Sequence, residues 1–273
     1  MLLATDSPRT LGSEQGSRLS FSRPENQARR VLTVDEAPAF ELSFWCGTCQ
    51  FLFERLEGAT TTFSGSPDHP TVQPGPGLDE AAISRFGELL PRASYQPLLL
   101  QVNPRLIHPA KPGDYFAEEQ VATWGVDSFW GLPTYPRTQY YRTFETRVSS
   151  DAHLYEFVVP MVPPSWNDRA RVDAYAADLA AGAPGTAVAV SLLDVCAPAV
   201  DQGSDYYTHW ALVHFLLDGH HRMQAAAETG RPLRLLSLLS LEAGLAAASQ
   251  TAELPTIRAA AARQRPTPTT PDS

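Results

Sequence analysis

The sequence predicts a mixed α/β (α+β) fold, in which a β-rich first half precedes a half where strands and helices alternate. The second half contains four apolar runs of strand length, at residues 155–161, 186–195, 210–217 and 233–241. Two segments between these runs repeat apolar residues at helical spacing, and each ends near a glycine. The 273 residues, 43% of them hydrophobic, suffice for one large domain or two ordinary ones.

The composition divides the chain into four regions. Residues 1–30 are polar and aperiodic, which predicts a disordered lead-in. We expect residues 31–150 to form a β-rich module and residues 151–245 to form the alternating α/β domain. Residues 246–273 end in repeated prolines without apolar anchors, so this tail is expected to be mostly disordered.

The β-rich module is predicted to contain five elements, and a sixth begins the α/β domain. Those of the module are a strand at 37–45, a short helix after it, a helix at 79–90, and strands at 95–102 and 140–148; the strand at 154–162 follows in the α/β domain. The short helix is predicted from the apolar residues Phe51, Phe53 and Leu56. The longer helix has apolar residues at three- and four-residue intervals. The last two strands are separated by a short polar stretch and are expected to form a hairpin.

In the α/β domain, the helix predicted at 168–180 has one apolar face and is closed by Gly182. The strand at 186–195 is an uninterrupted apolar run, which is typical of a strand buried on both faces. The helix predicted at 220–229 follows the strand at 210–217 directly. The final predicted strand, 233–241, completes the alternation.

Charge and composition exclude several classes of protein. The net charge of −9, with no basic cluster longer than Arg29-Arg30, argues against a nucleic-acid partner. No apolar run approaches the ~20 residues of a membrane-spanning helix, and no basic start precedes an apolar run as in a signal peptide. Three cysteines are too few for a disulfide-stapled secreted domain. We therefore expect a cytoplasmic protein without a membrane partner; the sequence identifies no protein partner.

The segment Asp218-Gly219-His220-His221-Arg222 lies where a predicted strand passes directly into a predicted helix. The first N–H groups of a helix have no partner within it and carry the positive end of the helix dipole. A glycine allows a tight turn and a close approach of a ligand, and an arginine can grip phosphate oxygens with two nitrogens. The two histidines add further donors. This segment is therefore predicted to bind phosphate, although a strand–turn–helix junction with surface histidines is the plainer alternative.

The same five residues, followed by Met223-Gln224-Ala225-Ala226, resemble the signature of the ParB/sulfiredoxin-like superfamily. The order of helix, strand, signature strand and helix around them is also similar, over about 90 residues. The Asp-Gly-His-His-Arg form looks closest to the free serine kinase branch. The resemblance implies a ParB/sulfiredoxin-like domain that binds ATP or ADP with Mg²⁺ and transfers phosphate to a small hydroxyl-bearing molecule.

In that branch an acidic residue just before the first helix acts as the general base, and Asp168 occupies this position here. Asp168 is one methylene shorter than the usual glutamate, and a residue that favours the helix dipole is the alternative interpretation. The resemblance thus gives Asp168, Asp218, His220 and His221 as catalytic candidates. It gives Gly219, His220, His221 and Arg222 as nucleotide-binding candidates.

Two other activities of the superfamily do not fit. The chain after residue 245 has no helix-turn-helix pattern, which argues against a DNA clamp of the ParB type. Sulfiredoxin needs a cysteine in the phosphate turn, where this chain has histidine. A nucleotide-dependent enzyme and a non-catalytic module for nucleotide sensing or protein interaction remain open.

A third possibility centres on Cys46-Gly47-Thr48-Cys49, which follows a tryptophan at the end of a predicted strand. A Cys-x-x-Cys pair at a helix start is typical of a redox dithiol, and it is also half of a zinc site. His69, His108 and Cys196 are the residues that would complete such a site. Simple packing of the two thiols is the third alternative.

Three further features have structural and functional interpretations. His214, within the strand at 210–217, is expected to be a core histidine or a residue behind the site. Glu156 lies in the middle of a strand and either faces the nucleotide site or is solvated. The aromatic residues between 124 and 141 are expected to form local core or to line a pocket or an interface.

Overall fold

The computed structural model describes residues 1–23, 29–44, 47–51, 53–63, 77–125, 136–183, 185–198 and 207–260. Its strands are β1 (Leu2–Thr5), β2 (Arg9–Leu11), β3 (Leu19–Ser22), β4 (Arg30–Val34), β5 (Ala37–Leu42), β6 (Phe53–Arg55), β7 (Ala93–Val102), β8 (Arg105–Ile107), β9 (Tyr140–Ser149), β10 (Ala152–Pro160), β11 (Thr186–Cys196), β12 (Thr208–Asp218) and β13 (Leu233–Ser240). Its α-helices are α1 (Glu80–Gly87), α2 (Glu119–Trp124), α3 (Arg169–Ala180), α4 (His220–Thr229) and α5 (Ala248–Ala260).

A large mixed sheet forms the centre of the molecule. Its strand order is β1-β7-β13-β11-β12-β10-β9-β8, and β2 also pairs with β7. β10 runs parallel to β12 and β11 parallel to β13, whereas β11 and β12 are antiparallel neighbours. The strands β3, β4, β5 and β6 form a smaller antiparallel sheet.

Both faces of the large sheet are covered. On one face, the small sheet and α1 contribute to an apolar core, in which the rings of Phe40 and Phe215 lie 5.0 Å apart. On the other face, Val172 of α3, Met223 of α4 and Leu254 of α5 pack against the sheet. Because its central strands are buried on both sides, the sheet has strands that read as continuous apolar runs.

The predicted α/β class is confirmed, because a large mixed sheet is combined with five helices in the described part of the chain. The predicted helices at 79–90, 168–180 and 220–229 correspond to α1, α3 and α4. The predicted hairpin at 140–162 corresponds to β9 and β10, which pair antiparallel.

Other expectations are corrected by the structure. In the region expected to be a disordered lead-in, β1 and β2 pair with β7, and β3 pairs with β4. These short strands are stabilised by backbone hydrogen bonds to a neighbour, so they need no apolar run of their own. Part of the expected disordered tail forms α5, which packs on the large sheet through Leu254; residues 261–273 lie outside the described residues.

The short helix expected from Phe51, Phe53 and Leu56 is instead the strand β6, which pairs with β5. The predicted boundary at residue 150 is also corrected, because it falls between the paired strands β9 and β10. Strands from both sides of it share one sheet, since pairing between strands distant in sequence leaves no mark in local composition. None of the helices in the described ranges has the length and hydropathy that crossing a membrane requires.

Candidate functional site

The junction between β12 and α4 depends on Gly219. This residue has φ of +93°, in the left-handed region that side chains other than glycine rarely adopt. A Cβ atom at this position would lie 2.8 Å from Cβ and 2.9 Å from Cα of Ala187, on the neighbouring strand β11. Both the backbone conformation and the close approach of β11 therefore require glycine here.

Arg222 is held inside the protein by two contacts. Its Nη2 atom lies 3.0 Å from Oδ2 of Asp218, and its Nη1 atom donates a hydrogen bond of 2.5 Å to the carbonyl oxygen of Thr186. Both charged side chains are buried. The guanidinium carbon also lies 5.5 Å from the centre of the Tyr175 ring. Arg222 thus links α4 to β11, β12 and α3.

His220, the first residue of α4, is only 3% exposed. Its Nε2 atom accepts a hydrogen bond of 3.1 Å from the backbone N–H of Met161, so in the neutral ring the proton is on Nδ1. Burial lowers the pKa of His220 to about 4. The carboxylate of Asp218 acts in the opposite direction, and His221 lowers the pKa further. Within the described ranges, Nδ1 has no hydrogen-bond partner. A buried donor of this kind costs roughly 1–3 kcal/mol unless it is paired.

The start of α3 lies beside the first turn of α4. Nε2 of His221 accepts a hydrogen bond of 3.1 Å from the backbone N–H of Asp168. The side-chain amide of Asn167 donates to Oε1 of Gln224 at 2.8 Å and to the carbonyl of His220 at 3.4 Å. Burial lowers the pKa of His221, and Arg171 lowers it further. Two helix N-termini therefore meet at this point.

Asp168 caps the N-terminus of α3. Its Oδ1 atom accepts a hydrogen bond of 3.1 Å from the backbone N–H of Arg171, and the residue is exposed. Asp168 thus meets the plainer interpretation made from the sequence, a helix N-terminal residue. Its exposed carboxylate also lies beside His221, on the same side of the molecule as the β12–α4 turn.

The structure brings together the six residues singled out around the turn: Asp168, Asp218, Gly219, His220, His221 and Arg222. Their states differ from those expected. Asp218 and Arg222 are paired with each other, which corrects the expectation that the arginine fork is available to a ligand. Asp168 and His221 reach the surface, and His220 holds a buried donor. The arrangement can offer neutral N–H donors to an anion and one exposed carboxylate to a second molecule.

Two further residues at the site, Trp166 and Arg55, have no function indicated by the sequence pattern. Trp166 lies in a 3₁₀ turn, Pro164–Trp166, just before α3, and it is 59% exposed. The guanidinium carbon of Arg55, from β6, lies 5.7 Å from the centre of its ring. A tryptophan after two prolines in a polar loop was the available signal for Trp166. The sequence around Arg55 carries no such signal, because only folding brings β6 close to Trp166.

The cysteine motif lies partly outside the described residues, since Cys46 and the candidate ligand His69 are not among them. The carbonyl oxygen of Gly47 accepts a hydrogen bond of 2.9 Å from the backbone N–H of Ala197. Gly47 is therefore beside the end of β11, where Ala197 follows the buried Cys196. Candidate His108 contacts the side chain of Gln139 through Nδ1. Where the chain is described, no three His, Cys, Asp or Glu side chains are grouped to hold a metal ion.

Glu156 neither faces the nucleotide site nor is solvated, the two interpretations made from the sequence. Its side chain is 0% exposed and is paired inside the protein. Its Oε2 atom lies 2.9 Å from Nε of Arg258, in contact but without hydrogen-bond geometry, and 3.9 Å from Nε2 of His214. Thr143 donates a hydrogen bond of 2.7 Å to Oε1. Burial alone would raise the pKa of Glu156, but Arg258, His214 and Thr143 together hold it at about 2.

His214 extends this buried polar group across the sheet. Its Nδ1 atom lies 2.6 Å from Oγ of Ser191, which accepts a hydrogen bond of 2.8 Å from Ser237. The six side chains, with Thr143 included, come from β9, β10, β11, β12, β13 and α5. His214 is thus a core histidine, one of the two roles expected for it.

The chain matches no protein-family model, no curated protein and no solved structure. Its function is therefore inferred from the residues and geometry of the site.

Proposed function

We propose that the N-terminus of α4, together with the start of α3, binds the phosphate groups of a nucleotide. The observation that supports this most directly is the buried Nδ1–H donor of His220, which lacks a partner within the described residues. A polar atom of this kind in the first turn of a helix fits an acceptor that arrives from outside. A phosphate oxygen is such an acceptor, and the helix N–H groups beside it favour negative charge.

The surrounding residues then have distinct roles. Gly219 allows the turn to pass close to β11. Arg222 acts as a positioning residue, since its pairing with Asp218 and Thr186 fixes the start of α4. His220 and His221 are neutral near pH 7 because burial lowers their pKa, so they act as N–H donors rather than as cations.

The proposed reaction is the transfer of a phosphoryl group from ATP to a small hydroxyl compound, as in the free serine kinase branch that the turn resembles. The acceptor oxygen forms a bond to the terminal phosphorus, and the bond from this phosphorus to the bridging oxygen breaks. ADP leaves with that oxygen, and the hydroxyl proton passes to the carboxylate of Asp168, an exposed group beside His221. Mg²⁺ that arrives with the nucleotide would supply neutralisation of phosphate charge, which would leave the carboxylate of Asp168 to accept the proton.

The binding step is tested by titrating ADP and ATP, with Mg²⁺, into wild-type protein and His220→Gln in a calorimeter. Glutamine keeps an acceptor for the Met161 N–H but removes the imidazole Nδ1–H donor. We expect His220→Gln to weaken ADP binding by about 10-fold, because one hydrogen bond to a charged group is lost. Unfolding temperatures measured in parallel establish that the variant is folded. Equal affinities in both proteins would contradict the proposal.

The catalytic step needs a separate test. Wild-type protein is incubated with radiolabelled ATP and a panel of small hydroxyl compounds that includes serine, and labelled products are separated. We expect Asp168→Asn to abolish product formation and to keep ADP binding, because asparagine preserves the cap of α3. Binding without product from any acceptor would favour a non-catalytic nucleotide-sensing or protein-interaction module. The pairing of Asp218 with Arg222, which withdraws both from chemistry, supports that second candidate.

A third candidate is a zinc or redox protein that uses Cys46 and Cys49. It is supported by the Gly47–Ala197 hydrogen bond, which brings Gly47, the second residue of the motif, to the strand end that carries Cys196. Zinc analysis of protein purified without chelators, with thiol titration before and after reduction, tests it. If the protein holds no zinc and all three thiols titrate before reduction, both the zinc and the redox versions of this candidate are rejected. All the candidates fit the cytoplasm, which supplies nucleotide and keeps thiols reduced.

A further inference from the structure

Trp166 presents a large aromatic ring to solvent on a rigid support. Its 59% exposure exceeds the 46% of Met1, the other large apolar side chain exposed within the described ranges. The backbone N–H of Trp166 donates to the carbonyl of Pro163 at 2.9 Å, and that of Asn167 donates to the carbonyl of Pro164 at 3.1 Å. Because both carbonyls belong to prolines with restricted backbone angles, the turn that carries the ring has little freedom.

The turn that carries the ring is next to the proposed phosphate site. Asn167, the next residue, bonds through its side chain to the first and fifth residues of α4, and Asp168 bonds through its N–H to the second. Trp166 directly precedes Asn167, and consecutive Cα atoms are about 3.8 Å apart, so the backbone of Trp166 is adjacent to these contacts. A molecule with an anionic group at the start of α4 can therefore extend to the ring.

Arg55 completes a stacking surface. Its guanidinium carbon lies 5.7 Å from the centre of the Trp166 ring, within the range of a cation–π contact. Its Nη2 donates a hydrogen bond of 2.7 Å to the carbonyl of Ala59, and its backbone N–H donates to the carbonyl of Pro136 at 2.9 Å. The cation is thus anchored beside the ring. Tryptophan and arginine together are a common platform for the flat face of a nucleobase.

The surroundings favour a small planar ligand over a protein partner. The neighbours of Trp166 in the chain, Ser165, Asn167 and Asp168, are polar, and Ser165 and Asp168 are exposed. Protein interfaces are marked by contiguous apolar patches, and one aromatic side chain among polar neighbours is not such a patch.

We propose that Trp166 and Arg55 bind the base of a nucleotide whose phosphates occupy the N-terminus of α4. This rests on the phosphate site proposed above and adds the residues that bind the base, which would favour a nucleoside di- or triphosphate over inorganic phosphate or a sugar phosphate. Recognition by stacking is tolerant of base identity. The affinities for ADP and CDP should therefore be similar, whereas pyrophosphate, which has no base, should bind more weakly than ADP.

The test compares ADP and pyrophosphate as calorimetric ligands for wild type, Trp166→Ala, Trp166→Phe and His220→Gln. We expect Trp166→Ala to weaken ADP binding about 10-fold or more, which is the effect of losing one base–aromatic stack, and to leave pyrophosphate binding unchanged. Trp166→Phe keeps an aromatic face and should retain most of the ADP affinity. His220→Gln should weaken both ligands.

Each outcome bears on one of the two proposals. Wild-type affinity for ADP in Trp166→Ala overturns the stacking proposal and leaves the phosphate site standing. An equal loss for ADP and pyrophosphate in Trp166→Ala also overturns it, because the ring would then act through the turn. If wild type binds neither ligand, the phosphate site itself fails, and with it the inference drawn from it.

Discussion

Nε of Arg258, on α5, lies 2.9 Å from Oε2 of Glu156, in the middle of β10, and neither side chain is more than 1% exposed. The Phe144 ring lies on the guanidinium, with its centre 4.0 Å from the guanidinium carbon. The C-terminal helix is thus attached to the sheet by a buried charge as well as by apolar packing. Removing one member of such a pair leaves the other charge buried without compensation.

We therefore expect Arg258→Leu to lower the free energy of unfolding by about 3–5 kcal/mol, measured by urea denaturation at pH 7. The double variant Glu156→Leu with Arg258→Leu should lose less than the single variant, because no unpaired charge remains in the core. A double variant as unstable as Arg258→Leu would show that lost packing, rather than the stranded carboxylate, is responsible.

Gly219→Ala tests the geometry of the β12–α4 turn. The new methyl group would meet Ala187 at 2.8 Å, and the left-handed backbone would add about 1–2 kcal/mol of strain. Gly182→Ala is the matched control, because Gly182 has φ of +81° with nothing within 4 Å of the added atom. Thermal unfolding should show a clearly larger loss for Gly219→Ala. Equal losses would mean that the contact with β11 relaxes without cost.

Arg222→Ala is expected to affect stability first and nucleotide binding only as a consequence. Its removal leaves Asp218 buried without its partner, so the free energy of unfolding should fall by about 3–5 kcal/mol. The exposed Arg231, just past the end of the same helix, provides the comparison; its replacement by alanine should change stability by no more than about 0.5 kcal/mol. A stable Arg222→Ala protein that has lost ADP binding would restore a direct role for the guanidinium.

Stability is expected to fall as the pH is lowered from about 6.5 towards 4. Burial lowers the pKa of His220 to about 4 and that of His209, a buried residue of β12, to about 3, from 6.5 for an unperturbed histidine. Between these limits the unfolded chain binds protons that the folded protein excludes, so acid favours unfolding by about 1.4 kcal/mol per pH unit for each residue. Urea titrations at pH 5 and pH 7 should give a smaller difference for His220→Gln than for wild type. A difference unchanged by the substitution would argue against a neutral, buried His220.

The helices at the site were predictable because their signals are local. The apolar face of residues 168–180 and the glycine before residue 220 locate α3 and α4 without knowledge of any partner. The partners of the buried charged side chains were not predictable, because they include residues distant in sequence. Arg222 is engaged by the carbonyl of Thr186, and Glu156 is neutralised by Arg258, about a hundred positions later.

The same limit explains the missed strands β1 and β2. Their residues carry little apolar pattern, and their stability comes from hydrogen bonds to the edge of β7. Sequence periodicity reports which face of a strand is buried, but it does not report where a polar strand finds its neighbour.

The position of β13 in the large sheet has a kinetic consequence. β13 is the only strand that joins β7, with its neighbours β1 and β2, to β11 and the remaining strands of the sheet that the structure describes. Its pairing with β7 connects segments more than 130 residues apart, for example Leu233 with Val102. Contacts so distant along the chain form slowly, because a long loop must close before they contribute. Until residues 233–240 insert, the chain would hold two separate sheets with open edges, so refolding should be rate-limited by this step and prone to aggregation.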